Sequence, residues 1–296
     1  MLKTNKERLV MISVQGAIVN PEHSGKHSFD HQGKPFMLPG TGGITYNVKV
    51  GDPVFGWEAD HVEPGVSTIL DQSKRYEGPN RGYNFYACIG NAAKVVSGDA
   101  KGATGVVTGH HGGAEHVLVD FPDDVLDKLT LEDKILIKAF GQGLKLLDHP
   151  DVYVYNLDPD LLEKMGVEER GEEIVVPVTA IVPGMLMGSG VGSMSMGTGD
   201  YDIMTADSKT IEELGLKDLR FGDIVAITDH DNAFGRCYRK GAVTIGVVIH
   251  SDCKLAGHGP GVTTIMTSPS GKIVPKKNPD ANIGKILGIG RFRKKE

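Results

Sequence analysis

The chain lacks the features that mark several large classes of protein. It has no apolar run near the ~20 residues of a membrane-spanning helix, and its first residues carry neither the apolar segment nor the small-residue cleavage site of a secretory signal. Its only cysteines, Cys88, Cys237 and Cys253, form no C-x-x-C pair, which argues against a disulfide framework or a cysteine-built zinc knuckle. We therefore expect a cytoplasmic protein with free thiols and no membrane partner.

Positive charge is scarce as well. The 296 residues include 32 Lys and Arg against 38 Asp and Glu, which gives a net charge of -6. A negative chain repels the phosphate backbone of nucleic acids. The basic C-terminal run RFRKKE is typical of a solvated chain end. We therefore expect no nucleic-acid partner.

Several common site motifs are also missing. The chain contains no G-x-G-x-x-G, no G-x-x-x-x-G-K-[ST], no H-E-x-x-H, no EF-hand loop and no G-x-S-x-G. The Gly- and Met-rich segment that starts at Gly184, GMLMGSGVGSMSMGTGDYD, lacks the lysine or helix start that phosphate binding needs. Methionines between glycines favour a packed loop or a subunit contact instead. We predict no nucleotide cofactor, and we predict a homo-oligomer.

What the chain does contain is glycine, at 40 residues, together with many short β-branched runs such as LVMISVQGAIV, HVLVDF and AVTIGVVIH. Helix patterns are few and short, as in PDLLEKMG with Asp158 as its N-cap. Because strands do not alternate regularly with helices, a doubly wound parallel sheet is disfavoured. We predict a mostly β fold of barrel-like and layered sheets, with a few short helices and long Gly-rich loops.

The charged stretch VEERGEE suggests a boundary between two regions. We predict an N-terminal β-rich region over residues 1–170, which includes an irregular loop carrying His23, His27 and His31. We predict a C-terminal, β-barrel-like region over residues 171–296.

Acids and histidines are concentrated in three segments of the chain. These are GHHGGAEH over residues 109–116, TDHDN from Thr228, and IHSDC from Ile249, which AGHGPG follows from Ala256. Imidazole is the commonest metal ligand among side chains, and flanking glycines free the backbone to aim neighbouring donors at one ion. His250 and Asp252 lie on the same side of an extended backbone. The pattern predicts a reactive site at which these segments converge.

Two resemblances start from the same segments. GHHGGAEHVLVDF and DHDNAFGRCYRKGAVTIGVVIHSDCKLAGHGPGV resemble a prokaryotic family that is catalogued only as a domain of unknown function, along the whole chain. This resemblance implies a mostly β, multi-lobed cytoplasmic protein and brings no established activity. Residues 241–262, preceded by GTGDYDI, are locally similar to the C-terminal segment of acetamidase and formamidase enzymes. The acid that would serve as base is missing from this chain's version of that segment, and Glu115 could substitute for it.

We hypothesise a metal-assisted hydrolase that acts on a small amide or a related C–N bond. The ion, Zn or a similar divalent metal, would lower the pKa of a bound water toward ~7. The predicted metal ligands are His110, His111, His230 and Asp231. Glu115, His250 and Asp252 are the predicted catalytic residues, with Glu115 as the general base. Gly257, His258, Gly259 and Gly261 are predicted to bind the substrate, their loop amides holding the developing oxyanion.

A hypothesis from another class stays open. Histidines in Gly-rich turns often bond only to the backbone, so the chain could be a non-catalytic small-molecule-binding protein or an oligomeric scaffold. Whether it is an enzyme at all is undecided by the sequence. Convergence of the three segments within a few ångströms would favour the enzyme, and dispersal would favour the scaffold.

Overall fold

The structure is a computed structural model that describes residues 2–23, 25–191 and 195–294. Residues 192–194 of the Gly- and Met-rich segment, and residues 295–296 of RFRKKE, lie outside this description. The strands are β1 (Ile12–Ile18), β2 (Ser28–Phe29), β3 (Pro35–Phe36), β4 (Ile44–Thr45), β5 (Gly65–Ile69), β6 (Ala92–Val95), β7 (Thr104–His111), β8 (His116–Asp120), β9 (Lys134–Ala139), β10 (Tyr153–Val154), β11 (Glu168–Arg170), β12 (Glu173–Val178), β13 (Ala180–Pro183), β14 (Met187–Val191), β15 (Tyr201–Ile203), β16 (Ile224–Asp231), β17 (Cys237–Val248), β18 (Gly261–Ser268) and β19 (Ile273–Lys277). The α-helices are α1 (Gly78–Tyr86), α2 (Asp123–Leu126), α3 (Pro159–Lys164), α4 (Ser208–Glu213) and α5 (Ile283–Leu287). Single 3-10 turns occupy Lys6–Arg8, Gln72–Lys74, Gly184–Leu186, Leu216–Asp218 and Gly290–Phe292.

The N-terminal part of the chain forms a closed barrel. Six strands pair in the order β1, β9, β6, β7, β8, β5, and β5 returns to β1 through the pair Ala17 and Ile69. β4 extends the sheet from β5. Closure pairs the backbone of all six strands with neighbours, and their inward side chains, among them Val66, Val107 and Ile135, fill the interior.

The C-terminal part forms a half-barrel sheet in the order β13, β16, β17, β18, β15, β14, with β10 paired to β18. β16 belongs to two apolar cores at once. Ile224 and Ala226 point into one, while Val225 and Ile227 point into the other. A strand covered on both faces needs no polar alternation, which explains the unbroken run IVAI.

Two smaller sheets complete the fold. β12 lies between β11 and β19, with β19 parallel to it, and β2 pairs with β3. The prediction of a mostly β fold with barrel-like and layered sheets is therefore confirmed. The predicted boundary after residue 170 falls in the turn between β11 and β12, and the division into two regions stays a prediction. Within the described ranges, none of the helices has the length and apolar character needed to cross a bilayer.

Candidate metal centre

The wall of the barrel formed by β7 and β8 packs against the half-barrel. The hydroxyl of Thr263 in β18 accepts from the amide of His110 at 3.1 Å and donates to its carbonyl at 3.0 Å. Gly109 permits this approach, because a Cβ at that position would overlap the side chain of Ile249. The last residues of β7 therefore lie beside the segment that follows β17.

Glu63, from the loop before β5, organises the histidines of GHHGGAEH. Its fully buried carboxylate contacts Nδ1 of His111 at 2.6 Å and Nδ1 of His116 at 2.9 Å. It also accepts from the amide of Gly42 at 2.7 Å and the hydroxyl of Ser67 at 2.5 Å. Burial would raise the pKa of Glu63, but the histidines, His116 first, outweigh burial and hold that pKa well below its usual range. The carboxylate is therefore charged, and Nδ1 of His111 carries the proton that faces it. Nε2 of His111 is then unprotonated, and its lone pair can bind a metal ion.

His250 and Asp200 face each other without a hydrogen bond. Nδ1 of His250 lies 2.8 Å from the carbonyl of Ser251, and this contact is shorter than the 3.3 Å to the amide of Gly261. A carbonyl only accepts, so the proton belongs on Nδ1. Nε2 then lies 2.9 Å from Oδ2 of Asp200. The bond directions do not suit a hydrogen bond, and neither atom has a hydrogen-bond partner in the described chain.

Three ligand atoms converge at this point. One atom each from His111, Asp200 and His250 lies within 4.8 Å of the other two, and all three residues are buried. The rings of His111 and His250 have their centroids 4.3 Å apart. Burial and the charge of His250 lower the pKa of His111. Burial also opposes the charged form of His250, but the carboxylates of Asp200 and Asp202 outweigh it and hold the pKa of His250 well above its ordinary value. The cluster is thus built to hold positive charge.

A second set of donors adjoins the first. Oδ2 of Asp202 lies 3.0 Å from Nδ1 of His258 and 3.5 Å from Nε2 of His61. These two ring nitrogens are 3.1 Å apart, and His61, His258 and Cys253 form another group whose ligand atoms lie within 4.8 Å of one another. Burial would raise the pKa of Asp202, but its contacts with His250, His258 and His61 hold it well below the usual range.

The predicted metal ligands are only partly brought together. Among the described residues, His111 is the one predicted ligand that belongs to any of the metal-competent groups. Its neighbour His110 points the other way and contacts the carbonyl of Ala87 through Nε2. Burial lowers the pKa of His110 to about 4, so its ring is neutral.

His230 and Asp231 lie elsewhere in the half-barrel. Nδ1 of His230 contacts the hydroxyl of Thr244 at 3.0 Å. Oδ1 of Asp231 accepts from the amide of Ala233 at 2.9 Å, and its Oδ2 lies 3.4 Å from Nε of Arg239. His230 and Asp231 therefore form hydrogen bonds at the end of β16 and in the turn that follows it.

The predicted catalytic residues lie in or near the cluster. His250 is part of it, as described above. Glu115 is buried in the turn between β7 and β8 at a φ of 59°, and burial raises its pKa, with a further contribution from the charge of Asp200. Asp252 accepts from the hydroxyl of Thr205 at 2.5 Å, and burial raises its pKa too.

Three of the four predicted substrate-binding residues, His258, Gly259 and Gly261, contact the two donor sets. The amide of Gly259 donates to Oδ2 of Asp202 at 3.3 Å, and Gly261 pairs with Asp202 across β15 and β18. A Cβ at Gly261 would overlap both Oδ2 of Asp200 and Nε2 of His250. His258 belongs to the second donor set, and Gly257 packs close to Gly188.

Five residues in or beside the two donor sets were not predicted as site residues: His61, Glu63, Asp200, Asp202 and Cys253. A signal for the first four was present in the sequence. Asp200 and Asp202 alternate in GTGDYDI, and His61 and Glu63 alternate in ADHVEPG. Alternate residues on extended backbone share a face, so each pair can reach one site.

Two family models together cover most of the chain. The family model described as Domain of unknown function (DUF4438), N-terminal, matches residues 27–163, and the corresponding C-terminal model matches residues 164–287. A crystal structure of TM1086 is similar, with 54% sequence identity and a TM-score of 0.90, over 96% of this chain and 98% of that one. No curated protein matches the chain, so the local likeness to acetamidases and formamidases stays a prediction. The chain belongs to the DUF4438 family, whose function is not established.

Proposed function

We propose that this protein binds a divalent transition-metal ion through His111, Asp200 and His250, and that the ion serves the hydrolysis of a small amide or a related C–N bond. The observation that carries the proposal is the contact of Asp200 and His250. Their facing atoms are 2.9 Å apart, buried, and in no hydrogen bond. With the Nδ1 proton facing Ser251, Nε2 of the neutral ring presents a lone pair to the Asp200 carboxylate, and a positive charge at this point, an added proton or a metal ion, offsets their repulsion. The proposal assigns that charge to the metal ion.

The donor set suits a borderline metal such as zinc. Two imidazole nitrogens and one carboxylate oxygen are the ligands of many catalytic zinc sites, in which three protein ligands leave a position open. The carboxylate of Glu63 behind His111 and the carbonyl of Ser251 behind His250 fix the proton of each ring on Nδ1. Such partners orient metal-ligating histidines and raise their affinity for the ion.

The surroundings support hydrolysis as the chemistry. When bound, a divalent ion supplies Lewis acidity. Glu115 is a buried carboxyl group with a raised pKa that lies close enough to feel the charge of Asp200. A carboxyl group with a raised pKa is suited to accept a proton and return it during hydrolysis. The loop over residues 257–261 contributes little to this chemistry, because the amides of His258 and Gly259 already donate to Leu255 and Asp202, the amide of Gly261 lies 3.3 Å from Nδ1 of His250, and Pro260 has no amide proton.

Metal binding is tested with four variants, each of which replaces one buried histidine by glutamine. His111→Gln and His250→Gln should each weaken zinc or cobalt binding roughly 100-fold or more, because each removes a ligand. His110→Gln and His230→Gln are matched controls, since those rings are also buried but lie outside the donor groups, and they should bind as wild type does. Binding is measured by calorimetry on protein stripped with a chelator. Equal binding by all four variants, or none by the wild type, would overturn the proposal.

Hydrolysis is tested on the zinc-loaded protein with a panel of small amides, read as released ammonia or amine. We expect turnover that disappears on chelation and falls strongly in Glu115→Gln while zinc binding persists. A loaded protein that turns over none of the panel would contradict the hydrolytic part and favour a non-catalytic binding protein.

A further inference from the structure

We propose that a second divalent cation binds next to the first, held by His61, Cys253 and His258 and joined to the first ion by the carboxylate of Asp202. This inference rests on the proposed function, because it extends the same centre to two metals. It makes a separate claim about the number of ions and about a thiolate ligand.

The donors of the second position already face one another. Nε2 of His61 and Nδ1 of His258 are 3.1 Å apart, and the sulfur of Cys253 completes a group whose ligand atoms lie within 4.8 Å of one another. These three residues come from two segments, the loop before β5 and the loop between β17 and β18. Two hydrogen bonds hold the two segments together: the amide of Ser251 donates to the carbonyl of Val62 at 3.0 Å, and the amide of Val62 donates to the hydroxyl of Ser251 at 2.9 Å.

His61, like His111, has a carboxylate beside its ring. Its Nδ1 lies 3.2 Å from Oδ1 of Asp60, an atom without a hydrogen-bond partner among the described residues, and the negative charge of that carboxylate favours a proton on Nδ1 and leaves Nε2 as the ligand atom. Both donor sets thus have a carboxylate behind a ligating imidazole, which is a recurrent arrangement in metal sites.

Asp202 lies between the two sets. Its Oδ1 is 3.4 Å from Nε2 of His250 in the first set, and its Oδ2 is 3.0 Å from Nδ1 of His258 in the second. A third group, His61, Asp202 and His250, has its ligand atoms within the same 4.8 Å limit. Two oxygens of one carboxylate that face the ligands of two neighbouring positions are the arrangement expected of a bridge in a two-metal site.

Charge and ligand type indicate which ions would bind. Asp200, Asp202 and the Cys253 thiolate would contribute three negative charges to two divalent ions, with the thiol giving up its proton as the metal binds. A thiolate and imidazoles favour zinc or cobalt over magnesium or calcium. The side chain of His258 is 30% exposed, so the second position adjoins solvent.

Metal content and cobalt spectra test the inference together. Wild-type protein stripped by a chelator and reloaded should hold two zinc or cobalt ions per chain, whereas Cys253→Ser and His258→Gln should hold one. The cobalt form should show a thiolate-to-cobalt charge-transfer absorption that is lost in Cys253→Ser. Cys88→Ser is the matched control, because Cys88 is also a buried thiol but lies outside the donor groups, and it should keep both ions and the absorption.

The outcomes separate this inference from the proposed function. A wild type that holds no ion overturns both. A wild type that holds one ion, with no thiolate band and no change in Cys253→Ser, overturns the second position alone. Because His258 is partly exposed, His258→Gln should fold even if Cys253→Ser does not, and a loss of one ion in it would support the inference.

Discussion

Two buried histidines of the chain, His250 and His230, show what separates a candidate site from a polar spot in the core. His250 lies among carboxylates from other segments, and Asp200 and Asp202 hold its pKa well above the ordinary value against the effect of burial. His230 has a hydroxyl neighbour in Thr244, and burial, with the charge of Arg236, lowers its pKa to about 4.

Both histidines come from segments rich in acids, TDHDN and IHSDC. The acids next to His230 in sequence are used locally, since Asp231 caps a turn and Asp229 accepts from the amide of Gly241 at 2.7 Å. The acids around His250 come instead from β15 and the residue before it, about 50 residues away along the chain. Convergence of distant segments, rather than local density of ligand types, therefore distinguishes the two regions.

The largest expected effect tests whether the space between Asp200 and His250 is what holds the ion. A methyl group in Gly261→Ala would occupy that space, and we expect loss of zinc binding by roughly 100-fold or more. Calorimetry with zinc measures it. Gly246→Ala is the control, because its methyl group would overlap Val262 in the half-barrel. It should lower stability, by about 1–3 kcal/mol for an overpacked core, and still bind zinc. Equal binding losses in both variants would make Gly261 a packing position only.

The next effect concerns the side chains that contact Nδ1 of two histidines: Glu63 beside His111, and Thr244 beside His230. Glu63→Gln removes the charge that fixes the proton of His111, and we expect zinc affinity to fall by about 10- to 100-fold. Thr244→Val removes the hydroxyl partner of His230 and should leave zinc affinity unchanged. Zinc titrations of both variants, with circular dichroism to confirm folding, decide the matter. If Glu63→Gln and Thr244→Val changed zinc affinity equally, the carboxylate of Glu63 would be a structural hydrogen-bond acceptor only.

A third effect is thermal. An ion that binds only the folded state stabilises it by about 3 kcal/mol at about 100 times its dissociation constant, which corresponds to a rise in Tm of roughly 5–10 °C. We expect chelation to lower the Tm of the wild type and of His230→Gln by this amount. His250→Gln should respond less than the wild type, because only the second position keeps its ligands. A response of His250→Gln equal to that of the wild type would place the ion elsewhere.

The fold could be predicted from the sequence further than the site could. Short β-branched runs bounded by glycine predict strands, because the side-chain period and the turn chemistry are local properties. Closure of the barrel through Ala17 and Ile69, and the packing of β7 against β18, depend on residues more than 50 positions apart, and no local pattern encodes such pairings.

The site shows the same limit residue by residue. His111 and His250 could be predicted because each lies in a segment dense in ligand types. His110 and His111 are neighbours on one strand and point to opposite faces, so a prediction that used both as ligands of one ion needed a turn that the structure does not have, since β7 extends through His111. Glu63 and Asp200 lie in segments with few histidines. Their alternation with His61 and Asp202 indicates a shared face, but the contact with His111 and His250 that gives them a role is tertiary.

The smallest expected effect concerns histidines that are buried but lie outside the donor groups. The pKa of His230 is about 4 in the folded protein and near its ordinary value of about 6.5 when unfolded. The unfolded chain therefore binds the proton first, and stability present above pH 6.5 is lost as the pH falls toward 4. For this one group the loss of stability between pH 7 and pH 5 is about 2 kcal/mol, so the free energy of unfolding of His230→Gln, measured with denaturant, should depend less steeply on pH by that amount.

His110→Gln should flatten the pH dependence similarly, because burial lowers the pKa of His110 to about 4 as well. An unchanged slope in both variants would show that burial does not lower the pKa of these rings. A flattened slope with zinc binding intact would show that burial sets the charge of a histidine, whereas carboxylates from other segments make it a ligand.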